Sequence, residues 1–236
     1  MKIILILFLS ISHLAQAAEN KLGLTNESEA GVVIAGGNAE SQSYSLRQTS
    51  QNRWENDAVR FDGRFLKSSS RGFESARNWL LGLRYERNLV DDLSGFAGLS
   101  VESDVFAGFL QRYNIDVGAK YYFLKEDAFS LFSEAGYRRM IENRFTGQLS
   151  QNALRFYTEG DRDWTKTFAT KIGVEYLPNL TISSDYQLNL DLSASAAISD
   201  VFALKAGYLV KYRKIPAAPA TKTTDTQFTT AIVAKF

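Results

Sequence analysis

The sequence predicts an all-β protein, a transmembrane antiparallel up-and-down β-barrel of twelve strands. Three observations predict it. Apolar and polar residues alternate with period two in one segment after another, the pattern of strands that divide an apolar medium from a polar one. After residue 17 no segment approaches the roughly 18 to 20 apolar residues of a spanning helix. The chain also closes on a strand-like stretch, Asp225 to Phe236. There Phe228, Thr230, Ile232, Ala234 and Phe236 share one parity and Asp225, Gln227, Thr229 and Lys235 the other.

The N-terminus is read separately. Met1-Lys2, the apolar run from Ile3 to Ile11, and Ala15-Gln16-Ala17 form a positive start, an apolar stretch and an A-x-A site, so residues 1–17 are read as a cleaved secretory signal. Ser10, Ser12 and His13 stop the run short of a membrane helix. Residues 18–28 are polar and read as a lead-in, which leaves 29–236 for the barrel. An exported chain without cysteine needs something other than disulfides to hold it, and a closed hydrogen-bonded ring supplies that. The formal net charge is +1 and falls to about zero without Lys2, which argues against a nucleic-acid partner.

The strands follow in order. The first, Glu29 to Ala35, sets Ala30, Val32 and Ile34 on one face and runs into Gly36-Gly37-Asn38, a tight turn; no helix follows to make it a phosphate loop. Ser41 to Gln51 places Tyr44 and Leu46 opposite Ser43, Ser45 and Arg47. In the third strand Val59, Phe61, Gly63 and Phe65 alternate with Arg60, Asp62 and Arg64, and a helix there would bury Asp62 beside Phe61. Trp79, Leu81, Leu83 and Tyr85 mark the fourth, opposite Arg84 and Glu86. Leu93 to Asp104 is the fifth and Tyr113 to Phe123 the sixth. Phe129 to Ile141 is the seventh. Region 142–163 is weakly patterned, and an eighth strand is placed at 151–160, where Leu154, Phe156 and Thr158 alternate with Arg155, Tyr157 and Glu159. The ninth spans Phe168 to Tyr176, the tenth Asp185 to Ile198, the eleventh Leu204 to Arg213, and the twelfth is the terminal stretch. All three prolines are expected outside strands, and Trp54, Trp79 and Trp164 near strand ends as an interface belt. Brief connections at 89–92, 124–127 and 199–200 alternate with longer ones at 67–76, 142–150 and 214–223, as short periplasmic turns alternate with outer loops.

The terminal stretch, ending on an aromatic residue, resembles the closing strand of bacterial outer-membrane barrels. With it, the Gly37-Asn38 turn, the run Y-L-V-K-Y-R-K-I-P-A-A-P from Tyr208 to Pro219, and the ending K-T-T-D-T-Q-F-T-T-A-I-V-A-K-F resemble the family labelled domain of unknown function 481, often called salt-induced outer membrane proteins. The resemblance covers roughly residues 29–236. It implies a barrel in the outer membrane of a Gram-negative bacterium, surrounded by lipid and lipopolysaccharide. It also implies a monomer handled by the barrel-assembly machinery, with Phe228, Ile232 and Phe236 as the assembly signal. The family brings no catalytic residues, and salt induction rests on its label alone.

The single histidine, His13, lies in the signal, so the mature chain has neither His nor Cys. That removes Ser-His and Cys-His catalysis and histidine-ligated metal sites; no enzyme, metal or cofactor is expected. Glu102 and Asp104 share a strand face, about 6.5 to 7 Å apart at the backbone, and read better as lumenal charges than as a glycosidase pair. Asp161 and Asp163 lack the rest of a calcium loop. The informative residues are the charges on the inner face. Arg60, Arg64, Arg84, Lys120, Arg138, Lys171, Lys205 and Lys211 stand against Asp62, Glu86, Glu102, Asp104, Asp116, Glu134, Glu175 and Asp191. Arg47, Arg155 and Lys235 join the bases, and Glu159 and Asp225 the acids. The signs nearly cancel, which favours a cross-linked interior. The leading reading is a structural or envelope-stress barrel with a pore that is narrow or absent. A monomeric substrate-specific porin would instead show basic tracks, and a soluble periplasmic β-sandwich is the third reading.

Overall fold

The structure is a computed structural model that describes residues 22–36 and 40–236. The signal, and the Gly37-Asn38 turn, lie outside the described residues. Twelve strands follow one another: β1 (Gly23–Ala35), β2 (Ser41–Arg53), β3 (Asp57–Ser70), β4 (Phe73–Val90), β5 (Leu93–Asp104), β6 (Phe109–Glu126), β7 (Phe129–Arg144), β8 (Gly147–Asp163), β9 (Phe168–Pro178), β10 (Tyr186–Ala197), β11 (Phe202–Arg213) and β12 (Thr224–Lys235). Each pairs antiparallel with its sequence neighbours, and β1 pairs with β12 to close the ring. A closed barrel, not two packed sheets, is therefore the fold, and the β-sandwich reading falls. Closure satisfies every neighbouring strand edge, the only way strands can cross lipid without orphaned backbone groups.

The alternation works as it should. Leu83, Leu99 and Ile115 are register partners along β4, β5 and β6, and all three stand half-exposed on the outside. Above and below this row are Tyr113, beside Val101, and Tyr85, beside Ala97. On β9 to β11, Tyr176, Tyr186 and Tyr212 stack in a row with ring centroids 5.8 and 5.6 Å apart. Tyrosines are apolar in body and polar at the tip, which suits an outer surface that passes from apolar to polar surroundings. An arginine at Leu99, centred between Tyr85 and Tyr113, should cost ~2–4 kcal/mol of folding stability, the penalty for a cation on the lipid face near mid-bilayer. Denaturant unfolding in phospholipid vesicles checks it, and an unchanged midpoint would mean that this face does not meet lipid.

Several boundaries differ from the expectation. β1 begins at Gly23, so residues 23–28 belong to the wall and not to a lead-in; the polar Glu27 and Glu29 hid this strand by facing inward. The regions 67–76 and 142–150 are strand almost throughout, joined by two-residue turns at 71–72 and 145–146. β8 accordingly runs well beyond 151–160 at both ends. Pro178 is the last residue of β9 and not in a loop, where its partner Tyr186 also begins a strand. Trp79 lies within β4, beside Phe65, while Trp54 and Trp164 do sit in connections at the end of the barrel that carries both termini.

Candidate functional site

Even-numbered positions of β3 to β7 and odd-numbered positions of β8 to β12 face inward, and their contacts run within a strand, between neighbours and between strands two or more apart. Starting on β6, Asp116 accepts from Arg138 at 2.6 Å, and Arg138 reaches Glu175 at 3.4 Å. Glu175 holds Arg155 at 2.7 Å, and Arg155 holds Glu134 at 2.5 Å. Glu134 takes Arg84 of β4 at 2.7 Å, Arg84 meets Glu86 at 3.1 Å, and Glu86 faces Lys120 at 3.7 Å. This is an unbroken chain of alternating charge across β4 to β9. Glu86, Glu134 and Lys120 are buried, so each charge depends on its partners in place of water.

A second cluster lies toward the opposite mouth. Glu142, fully buried, accepts from Arg112 at 2.6 Å and Arg213 at 3.0 Å and is also bound by Arg144. Arg112 continues to Glu102 at 3.2 Å, and Arg213 to Asp185 at 3.5 Å. Asp104 accepts from the Ala107 N–H at 3.1 Å and faces Lys211 across the lumen at 3.8 Å. Glu102 and Asp104 thus have separate structural partners.

Near the termini Lys205 binds Glu29 at 2.6 Å and Glu27 at 3.4 Å, and Lys235 meets Glu27 at 3.5 Å. Lys171 bonds Glu159 at 2.8 Å and Asp161 at 3.3 Å, and Arg60 bonds Asp62 along its own strand at 2.8 Å. Arg64 and Arg53 differ from these. Among the described residues neither has an ion-pair partner, and the Nε of each is buried without a hydrogen bond. Asp191 lines the same space as Arg64 and has no ion pair among the described residues.

The inner face also carries apolar side chains that the charge-centred reading passed over. Phe96, Phe109, Tyr122, Phe132, Met140 and Leu177 are buried inside the barrel. The Arg84 guanidinium lies 3.9 Å from the Phe96 ring centre, Arg112 3.9 Å from Phe109, and the Lys120 ammonium 3.9 Å from Phe132. Cations held over ring faces gain from the ring quadrupole where water is excluded. Phe96 is opposite Gly118 in register, and Gly118 is opposite Gly136. A side chain at Gly118 would collide with the Phe96 ring, so the glycines let that ring lie against the wall. Parity was the available signal: Phe96, Phe132 and Met140 share it with Ser100, Glu134 and Arg138 on their strands. Arg112 and Glu142 were missed for another reason: they lie at strand ends, where the alternation had faded, whereas Arg213 shares the parity of Lys205 and Lys211 on β11 and was left out of the inner set.

A cavity of about 410 Å³ remains against the network. Residues of every strand from β2 to β12 line it, among them Arg84, Asp116, Arg138, Arg155 and Glu175 of the network, and it reaches the segment 214–223. That segment folds over the mouth. Pro216, Ala220, Lys222 and Thr223 line the cavity and Ala217 is buried. The Ile215 N–H donates to Asp185 Oδ1 at 3.0 Å and the Lys214 N–H to the Tyr186 carbonyl at 3.0 Å. Ala217 packs on Gly108 in the β5–β6 connection, so closely that no Cβ fits there. The β5–β6 and β11–β12 connections are six strands apart in a ring of twelve, so this contact spans the mouth.

An apolar band outside, a charged interior and a closed antiparallel ring are together the architecture of outer-membrane barrel proteins. The chain belongs to the family of proteins of unknown function DUF481, whose model matches residues 28–236. Its fold is similar to that of the COG4313 outer membrane channel from Pseudomonas putida F1, with a TM-score of 0.56, 12% identity, and 92% of this chain and 96% of that one covered. It is also similar to the NanC porin, with a TM-score of 0.54, 10% identity, and coverage of 89% and 98%. At such identities the likeness is one of fold. No curated protein shows significant similarity to the chain.

Proposed function

We propose that this protein is a narrow channel of the bacterial outer membrane for small polar solutes, without catalytic activity. The observation that carries the reading is the unfilled part of the lumen. The Asp116-to-Lys120 chain of charges cross-links β4 to β9, yet a cavity of about 410 Å³ remains, lined by members of that chain and by residues of β2, β3 and β10 to β12. A barrel built only as a scaffold would gain by filling that space, since unfilled volume forfeits packing. The interior is neither a single-sign track nor closed by ion pairs throughout. Arg60, Arg84 and Lys171 are locked onto carboxylates and Arg64 is not. In this reading the termini face the periplasm, and segment 214–223 narrows the outer mouth.

Planar-bilayer recording tests it. The purified full chain should give small, steady single-channel steps, and replacing residues 216–221 by a short Gly-Ser turn should enlarge them. Silence from both proteins, each shown to be folded by heat-modifiable gel migration, would leave a purely structural barrel.

A further inference from the structure

We infer that the lumen contains a binding site for a small sugar acid, a solute with one carboxylate and several hydroxyls, built around Arg47 and Arg64. The inference deepens the channel reading by naming its solute, and it rests on that reading for its physiological meaning.

The site begins with a local conflict. Arg47 and Arg64 are direct register partners on β2 and β3, and both point into the lumen. Like charges directly opposite one another destabilise a strand pair, and in the other such pair on the lumen wall, Arg60 and Arg84, each base is answered by an acid, Asp62 and Glu134. Here the answer is missing. Arg47 has only Glu29, at 3.9 Å, and Glu29 is held much closer by Lys205 at 2.6 Å. Arg64 has no ion-pair partner among the described residues, and its buried Nε has no acceptor. Of the acids near the pair, Glu102 is engaged by Arg112 and Asp104 by Lys211 and the Ala107 N–H, and Asp191 shares the space without closing to an ion pair.

The pair also sits where ligands can reach it. Arg47, Arg64 and Asp191 line both the 410 Å³ cavity and a smaller one of about 60 Å³ next to it. Ten basic and seven acidic side chains line the larger cavity. Adding Glu134 and Glu142, which hold four of those bases from behind, still leaves the bases in excess. Two guanidinium forks facing one space are suited to a carboxylate, which accepts bidentate charge-assisted hydrogen bonds. Such a carboxylate would give Arg64 Nε its acceptor and relieve the Arg47–Arg64 repulsion. Around the pair stand neutral or acceptor groups, Ser45, Ser193, Gln227 and Thr229 with the unpaired Asp191. These suit hydroxyls. A carboxylate on one side and hydroxyls on the other define a sugar acid.

The experiment is isothermal titration calorimetry on the folded full chain in detergent, with glucuronate, glucose and acetate as probes. Glucuronate should bind, with glucose and acetate each weaker by about tenfold or more, since each lacks half of the recognised groups. Losing a charged hydrogen bond costs about 1.5–3 kcal/mol, so Arg64→Gln should weaken glucuronate about ten- to hundredfold. The Arg47→Gln/Arg64→Gln double variant should abolish binding. If Arg64→Gln does not fold, Arg47→Gln and Arg64→Lys carry the test, the latter keeping the charge but losing the fork. Glucuronate binding that is absent, or unchanged in these variants, would overturn the site; acetate binding as tightly as glucuronate would overturn the sugar-acid class. Binding is read without conduction. A barrel that binds but gives no single-channel steps refutes the channel alone, and one that conducts but does not bind refutes the site alone.

Discussion

Replacing Glu142 by alanine should destabilise the barrel by about 3–5 kcal/mol, the cost of leaving buried charges without their partner. Glu142 is fully buried and gathers Arg112, Arg144 and Arg213 around one carboxylate. Removing it leaves guanidiniums from β6, β7 and β11 facing one another where water is scarce. The comparison that gives the number meaning is Glu74→Ala. Glu74 meets Lys67 at 3.8 Å and Arg77 at 3.3 Å, with both bases about half exposed, and such a surface pair contributes only about 0–1 kcal/mol. Unfolding midpoints of the two variants in urea, measured in the same vesicles, separate the two cases. A Glu142→Ala midpoint no lower than that of Glu74→Ala would show that the cluster is hydrated and carries no such load.

Deleting Phe236 should have the second large effect, on closure of the ring. The β1–β12 seam has four register pairs, Glu27 to Ala30 against Ile232 to Lys235, where β11 and β12 share eleven. Beyond those four, Phe236 adds a reciprocal pair of bonds: the Asn26 N–H donates to the Phe236 carbonyl at 2.6 Å, and the Phe236 N–H to the Asn26 carbonyl at 3.0 Å. In so short a seam these bonds are a large share of what joins the last strand to the first. Backbone groups left unpaired in lipid cost several kcal/mol each. The deletion should therefore slow folding into vesicles and lower the heat-modifiable fraction, while Ile172→Ala, on the outer wall of β9 away from the seam, should do neither. Folding of the deletion at the full-length rate and yield would show that closure does not depend on this residue.

Much of this was legible beforehand because lipid imposes a simple code. A strand between lipid and a polar lumen must alternate, so β5 could be placed at Leu93–Asp104 to the residue, and the outward row Leu83, Leu99, Ile115 followed from parity alone. The code weakens where the strand leaves the bilayer. The ends of β3, β4, β7 and β8 stand beyond the apolar band, where no solvent difference forces alternation, and so 67–76 and 142–150 looked like loops. β1 was shortened for a related reason: its inward Glu27 and Glu29 make a polar run that only pairing to Thr49 and Arg47 identifies as strand.

The candidate site divides along the same line. That Arg47, Arg64, Arg84, Glu134 and Asp191 face inward is a statement about parity, which the chain carries in its order of residues. Which of them are neutralised is not. Arg84 meets Glu134 from three strands away and Arg213 meets Glu142 from four, at distances set by the closure and stagger of the ring. By itself the sequence determined a closed, alternating wall with nearly balanced charge inside it. Only the tertiary structure decided where the balance fails, because an ion pair between distant strands depends on register, and register is fixed only when the last strand meets the first.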